Sequence, residues 1–212
     1  IRKIKELTKE NIPYSDIAIL YRTNAQSRVF EQEMLKQNIP FRIVGSFYFY
    51  SRKEIKDLLS YLRLVLNPHD DVSLLRVINS PKRGIGLKTI SDLEQIANNS
   101  NVSMYDAITE GKTLIFKNII EELREDLKSH TLTEFIDIVL EKSGLKKELE
   151  EAHTLEADIR LENLEEFKSV TKTFEERVGE ISLEEFLTEV SLVSDVEEYK
   201  DDPNRVTLMT VH

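Results

Sequence analysis

The 212-residue chain has no cysteine, and that absence removes disulfide staples, thiolate metal sites and cysteine nucleophiles together. It also lacks any apolar run near the roughly 18 residues that a membrane-spanning helix needs, and no secretory pattern opens it, so a soluble, cytoplasmic protein is expected, with no membrane partner. Aromatic residues are few, at 8%, but 40% hydrophobic residues suffice for a core in one or two domains. Internal repeats and low-complexity linkers are missing as well. The Asp70/Asp71 pair and the acidic stretches lack the convergent histidines or spacing of a ligand set, so they read as solvated faces, and neither a metal site nor a catalytic residue is assigned.

What the chain does have is an uneven charge. The net charge of −10 argues against nucleic acid, because phosphate binding depends on Lys and Arg displacing condensed counterions. The average conceals a division. Residues 1–90 hold 16 Lys and Arg against 9 Asp and Glu, which leaves 13 against 30 for residues 91–212. A basic first part and a strongly acidic remainder also fit plain solvated helix faces of different sign.

Ile17 to Tyr21 is a short run of β-formers, and Phe30, Met34 and Leu35 follow at helical spacing until Asn38 and Pro40. Phe41 to Val44 supplies a second strand, giving a small β-α-β unit with the usual right-handed connection. From Ser51, where Glu54 completes a capping-box pattern, helical spacing dominates: Ile55, Leu58, Leu59, Leu62, Val65 and Leu66, then Leu74, Leu75 and Ile78 before a break at Pro81. Further stripes run through Ile90, Leu93 and Ile96/Ala97, and through Ile115, Ile119, Leu123 and Leu127. Thr131 with Glu134 opens a helix that stops near Gly144; Leu161, Leu164, Phe167 and Phe174 mark another; Ser182 with Glu185 caps a last one. After a turn at Asp201 to Asn204, Val206 to Val211 alternates like a strand. A mainly α chain follows, its helical block bracketed by strand-bearing ends that belong to one α/β sheet, with the middle as an insertion.

Two segments carry candidate chemistry. At the carboxyl end of the first strand, where open α/β sheets place ligands, Arg22, Thr23, Asn24, Gln26, Ser27 and Arg28 fall together. The arginines suit phosphates, while Thr23 or Asn24 serves equally as a simple helix N-cap. The second segment, Pro81 to Thr89, reads as a tight turn between helices, with Gly84 and Gly86 allowing close approach and Lys82, Arg83 and Lys88 beside them. Amides at the next helix N-terminus then face an anion, although a plain glycine turn has the same spacing. Phe47 to Tyr50 is either a base-stacking platform or packing. Gly111-Lys112-Thr113 imitates the end of a phosphate-binding loop, but Asp106 stands where the first glycine belongs and no β-run precedes it. Gly84 to Thr89 fails the same test.

The collinear segments YRTNAQSRVFEQEM, FYSRKEIKDLLSYLRL, NSPKRGIG, RLENLEEF and VTLMTVH resemble UvrD/PcrA/Rep-type superfamily 1 DNA helicases. In that family a motor-like domain, 2A, is interrupted by a helical insertion, 2B. The resemblance implies that residues 1–46 and 206–212 are 2A portions, the latter the start of motif V, and that 47–205 are 2B. It implies duplex DNA docking through Lys82, Arg83, Gly84, Ile85, Gly86, Lys88 and Thr89. It further implies single-strand contacts from Arg22, Asn24, Arg28, Arg52 (the aromatic-x-Arg-x-Glu position) and His212. The phosphate loop, the Mg-binding motif and the arginine-bearing motifs lie outside this segment, which looks excised from a longer ATP-dependent 3′–5′ helicase of repair or replication. ATP and Mg would serve that parent and not this segment, which is expected to be monomeric and not to hydrolyse ATP alone. Two competitors remain: an acidic helical module that recruits a protein partner without binding DNA, and a self-sufficient nucleotide hydrolase, which would need the missing loop.

Overall fold

The computed structural model describes residues 1–179, 182–194 and 203–211. The chain divides into two compact units, Ile1–Ile55 with Thr188–His212 and Lys56–Leu187. Helix dominates both the chain and the second unit, as the periodicity implied.

In the first unit, α1 (Arg2–Lys9), β1 (Ala18–Tyr21), α2 (Ser27–Lys36) and β2 (Phe41–Val44) are joined by β3 (Val206–Thr210) from the far end of the chain. β3 lies between β1 and β2 and runs parallel to both, with Leu208 level with Ile19 and Ile43. The β1-α2-β2 unit read from sequence therefore has its two strands separated by a third. One face of the sheet closes over a core of Ile4, Ile17, Tyr21, Met34, Ile39, Phe41, Val206 and Leu208. α2 ends where Asn38 adopts a left-handed conformation (φ 52°), which Asn tolerates better than most residues, and Ile39 N–H bonds back to the Met34 carbonyl at 2.9 Å. On the other face Leu20 and Val44 stay exposed.

The second unit is helical. α3 (Lys53–Leu66) enters it and buries Leu58, Leu59, Tyr61, Leu62, Leu64 and Val65, so it is apolar on more than one side. It is followed by α4 (Asp71–Val77), α5 (Leu87–Ser100), α6 (Met104–Ala107), α7 (Gly111–Asp126), α8 (Leu132–Ser143), α9 (Leu145–Ala152), α10 (Leu155–Val178) and α11 (Leu183–Ser194), whose residues from Thr188 on are assigned to the first unit. α8 packs against α7, α9 and α10 and buries Phe135, Ile136, Val139 and Leu140. Its Thr131–Glu134 capping box forms, and Gly144 ends it with φ 80°. Ser182 and Glu185 exchange the same reciprocal bonds at the start of α11. Phe186 meets Phe167 and Phe174 edge-on at 5.7 and 5.5 Å.

One stripe is corrected. α7 buries Thr113, Phe116, Ile120 and Leu123, while Ile115 is 61% exposed, so its inward face is rotated from the expected Ile115/Ile119 line. α1, α6 and α9 were not anticipated. Among the described residues no helix is long and apolar enough to cross a membrane, and no three His, Cys, Asp or Glu converge as a metal site.

Candidate nucleic-acid interface

In the first unit, the end of β1 turns sharply because Gln26 folds its side chain back: its Oε1 accepts from the Arg22 N–H at 2.9 Å and the Thr23 N–H at 3.3 Å. Thr23 thus caps the 3-10 turn Asn24–Gln26 that leads into α2. Arg22 leaves this turn exposed. Arg28, one helical turn further, donates to Gln32 at 2.6 Å, and Gln32 donates in turn to the Tyr50 hydroxyl at 3.1 Å. Burial pushes the Tyr50 phenol up to about 12.

Arg52 lies beneath that turn and is 4% exposed. Its guanidinium donates to the Asn24 carbonyl at 2.9 Å, the Ser27 hydroxyl at 2.7 Å and the Phe47 carbonyl at 3.3 Å, and it covers the Phe49 ring with its carbon 5.2 Å from the centroid. Glu31, also buried, stands 4.0 Å from it and accepts hydrogen bonds from the Ser27 hydroxyl at 2.5 Å and the Phe49 N–H at 2.9 Å. The pair is an internal clamp that ties β1's end to the Phe47–Ser51 segment. Of the four consecutive aromatics, Phe49 and Tyr50 are buried, Tyr48 packs edge-on against Phe41 at 5.6 Å, and Phe47 alone is mostly exposed, at 74%.

In the second unit, the segment between α4 and α5 is organised from inside. Asn79 Oδ1 accepts from the Arg83 N–H at 2.8 Å and the Ile85 N–H at 3.1 Å, which folds Lys82 to Gly86 around one side chain. Ile85 is 1% exposed and pins the turn to the core. Gly84 takes φ 69°, a conformation that a β-carbon would strain. Arg83 points inward: its guanidinium donates to the Ser143 carbonyl at 2.6 Å, the Tyr61 hydroxyl at 2.8 Å, the Pro81 carbonyl at 3.0 Å and the Val77 carbonyl at 3.3 Å, above the Phe116 ring. Tyr61 donates to the Ser80 carbonyl at 2.6 Å, and burial pushes its phenol up to about 12. The outward side consists of Lys82, Gly84, Gly86, Leu87, Lys88 and Thr89, all exposed. Gly86, the N-cap of α5, has no side chain to satisfy the first-turn amides, so they remain available to an anion. Glu148 accepts the Lys82 N–H of the turn at 3.3 Å.

All 212 residues match the profile described as the UvrD-like helicase C-terminal domain. The ATP-dependent DNA helicase PcrA of Staphylococcus aureus strain Mu50 is 46% identical across the whole chain, and that of Staphylococcus epidermidis ATCC 12228 is 44% identical. The chain spans 31% of the length of these relatives.

The chain belongs to the UvrD-like helicase C-terminal domain family.

For a UvrD-like C-terminal domain, the candidate residues separate into two groups. Arg22, Lys82, Gly84, Gly86, Lys88 and Thr89 reach solvent, and Asn24 and Arg28 are partly covered. Arg52 and Arg83 differ from these: each directs its guanidinium to internal acceptors and so positions a segment. Ile85 is likewise an anchor. His212 lies outside the described residues. Lys112 sits in the false phosphate-loop pattern; its helix begins at Gly111 after a one-turn helix and not after the strand that such a loop follows. Phe47 was grouped with three packed aromatics, and no local pattern distinguishes it from them.

Proposed function

We propose that this chain is the DNA-holding part of an ATP-dependent 3′–5′ DNA helicase. In this reading residues 47–205 form the inserted helical domain and residues 1–46 with 206–212 form part of the motor domain around it. The helical part docks duplex DNA, without sequence preference, through the outward side of the Lys82–Thr89 turn. Arg22, Asn24 and Arg28, with His212, line a single-strand track once the remainder of a longer protein completes the motor, and Phe47 is placed to stack on a base. ATP and Mg act in that remainder, and this chain alone does not turn over ATP. The reading places the parent in cytoplasmic DNA repair or replication.

The observation that carries the proposal is the division of labour in the turn. Asn79, Ile85 and Arg83 fix the backbone from inside, and two lysines, two glycines and an uncapped helix start face out. The bare side of the parallel sheet supports the wider reading, because such sheets are normally covered on both faces. A chain matching 31% of its relatives leaves that second layer to the rest of the protein.

A titration with blunt duplex at low salt tests the docking. Gly84→Asp with Lys88→Glu should abolish most of the affinity while a thermal melt stays cooperative. Undiminished affinity, or binding indifferent to salt, would remove the turn from the interface. A pull-down that recovers a protein partner but no duplex would favour an acidic recruitment module instead.

A further inference from the structure

The false phosphate loop and the duplex-docking turn meet in space. The side chain of Lys112, at the start of α7, lies along the open face of Gly84: a β-carbon on that glycine would fall 2.5 Å from Lys112 Nζ and 3.6 and 3.7 Å from its Cε and Cδ. Lys112 is exposed, and like Lys82 and Lys88 its ammonium has no carboxylate partner among the described residues. Other lysines of the same unit differ. Lys142 is held by Asp126 at 2.8 Å and Glu122 at 3.2 Å, and Lys168 by Asp137 at 2.7 Å. A paired lysine must give up its partner before it can neutralise a phosphate, whereas Lys112 has none to lose.

The absence of a side chain at Gly84 also leaves this ammonium beside the backbone of the docking turn, the segment that carries Lys82 and Lys88. Lys suits a phosphate backbone as a compact, mobile point charge that needs no bidentate geometry. We propose that Lys112 is a third phosphate-contacting lysine of the duplex-docking surface, contributed by α7 across the Gly84 turn, and that Arg83 contributes no phosphate contact. The inference rests on the docking reading above and extends the surface beyond the sequence segment that first identified it.

The test is the salt dependence of blunt-duplex binding by the 212-residue chain. Each phosphate neutralised adds about 0.9 to the slope of log K against log salt, so Lys112→Gln should make the slope shallower by about that amount. Lys112→Arg should restore it, and Lys172→Gln, an exposed lysine on α10, should leave it unchanged. If Lys88→Gln flattens the slope and Lys112→Gln does not, the inference fails while the docking turn stands. If neither changes the slope, both fail. Arg83→Gln separates the second half of the claim: an unchanged slope with a lowered melting temperature supports an internal role, and a flatter slope with an unchanged melting temperature overturns it.

Discussion

Arg52 sets its guanidinium among the Asn24 and Phe47 carbonyls, the Ser27 hydroxyl and the Glu31 carboxylate, and Arg83 does the same among four oxygens. Removing one member of a buried ion pair strands the other, so Arg52→Met should lower stability by about 3 kcal/mol in chemical denaturation. Arg52→Lys should not recover it, because one ammonium cannot span those acceptors. Tyr50 and Tyr61 supply a pH signature. Both phenols are raised to about 12 in the fold, so the unfolded chain loses these protons first, near 10. Stability should hold up to about pH 10 and fall between pH 10 and 12, with Tyr61→Phe removing part of the fall in pH-dependent melts. None of these roles was legible locally. Arginine next to a glycine turn looks like a phosphate ligand until the acceptors are known, and they come from afar: Asn24 lies 28 positions before Arg52, and Ser143 60 positions after Arg83.

The α4–α5 turn is shaped by two local decisions that can be reversed separately. Asn79→Ala removes the acceptor shared by the Arg83 and Ile85 amides, and the loss of two partly buried bonds should cost about 2 kcal/mol and loosen the turn. Gly84→Ala imposes left-handed strain of about 1–2 kcal/mol, and Gly84→Asn should cost less than Gly84→Ala because Asn visits that conformation more readily. Both costs are read from denaturation midpoints. At this scale the sequence was informative where chemistry is local: the Thr131–Glu134 and Ser182–Glu185 boxes, the Gly144 stop and the glycine turn all formed as their residue types require. It failed where a neighbour decides. α7 offers two overlapping apolar lines, and the fold buries Phe116, beside the Tyr61 ring of α3, and Ile120 while leaving Ile115 exposed. α1, mostly charged, carries a single buried residue, Ile4, too weak a stripe to announce a helix.

Over the whole chain, the coarse plan was the most legible level, because a sheet that needs β3 must recruit it from about 160 residues beyond β2, and the intervening helical period is unmistakable. The sign of the net charge was the misleading quantity. At −10 the chain looks unsuited to DNA, yet among the described residues the ammonium groups of the proposed surface have no carboxylate partner, while many of the acids sit on solvated helix faces. Local acidity still counts: Glu148→Gln should tighten duplex binding several-fold at low salt, because it removes the carboxylate that holds the Lys82 amide, and an unchanged affinity would place that acid outside the field of the bound phosphates. The most direct test of duplex docking is amide hydrogen exchange of the 212-residue chain with and without blunt duplex. Docking through this turn requires slowed exchange at the uncapped first turn of α5, Leu87 to Thr89, together with the Lys82–Gly86 turn. Protection confined to the acidic helices, with those amides exchanging as fast as in the free chain, would contradict it.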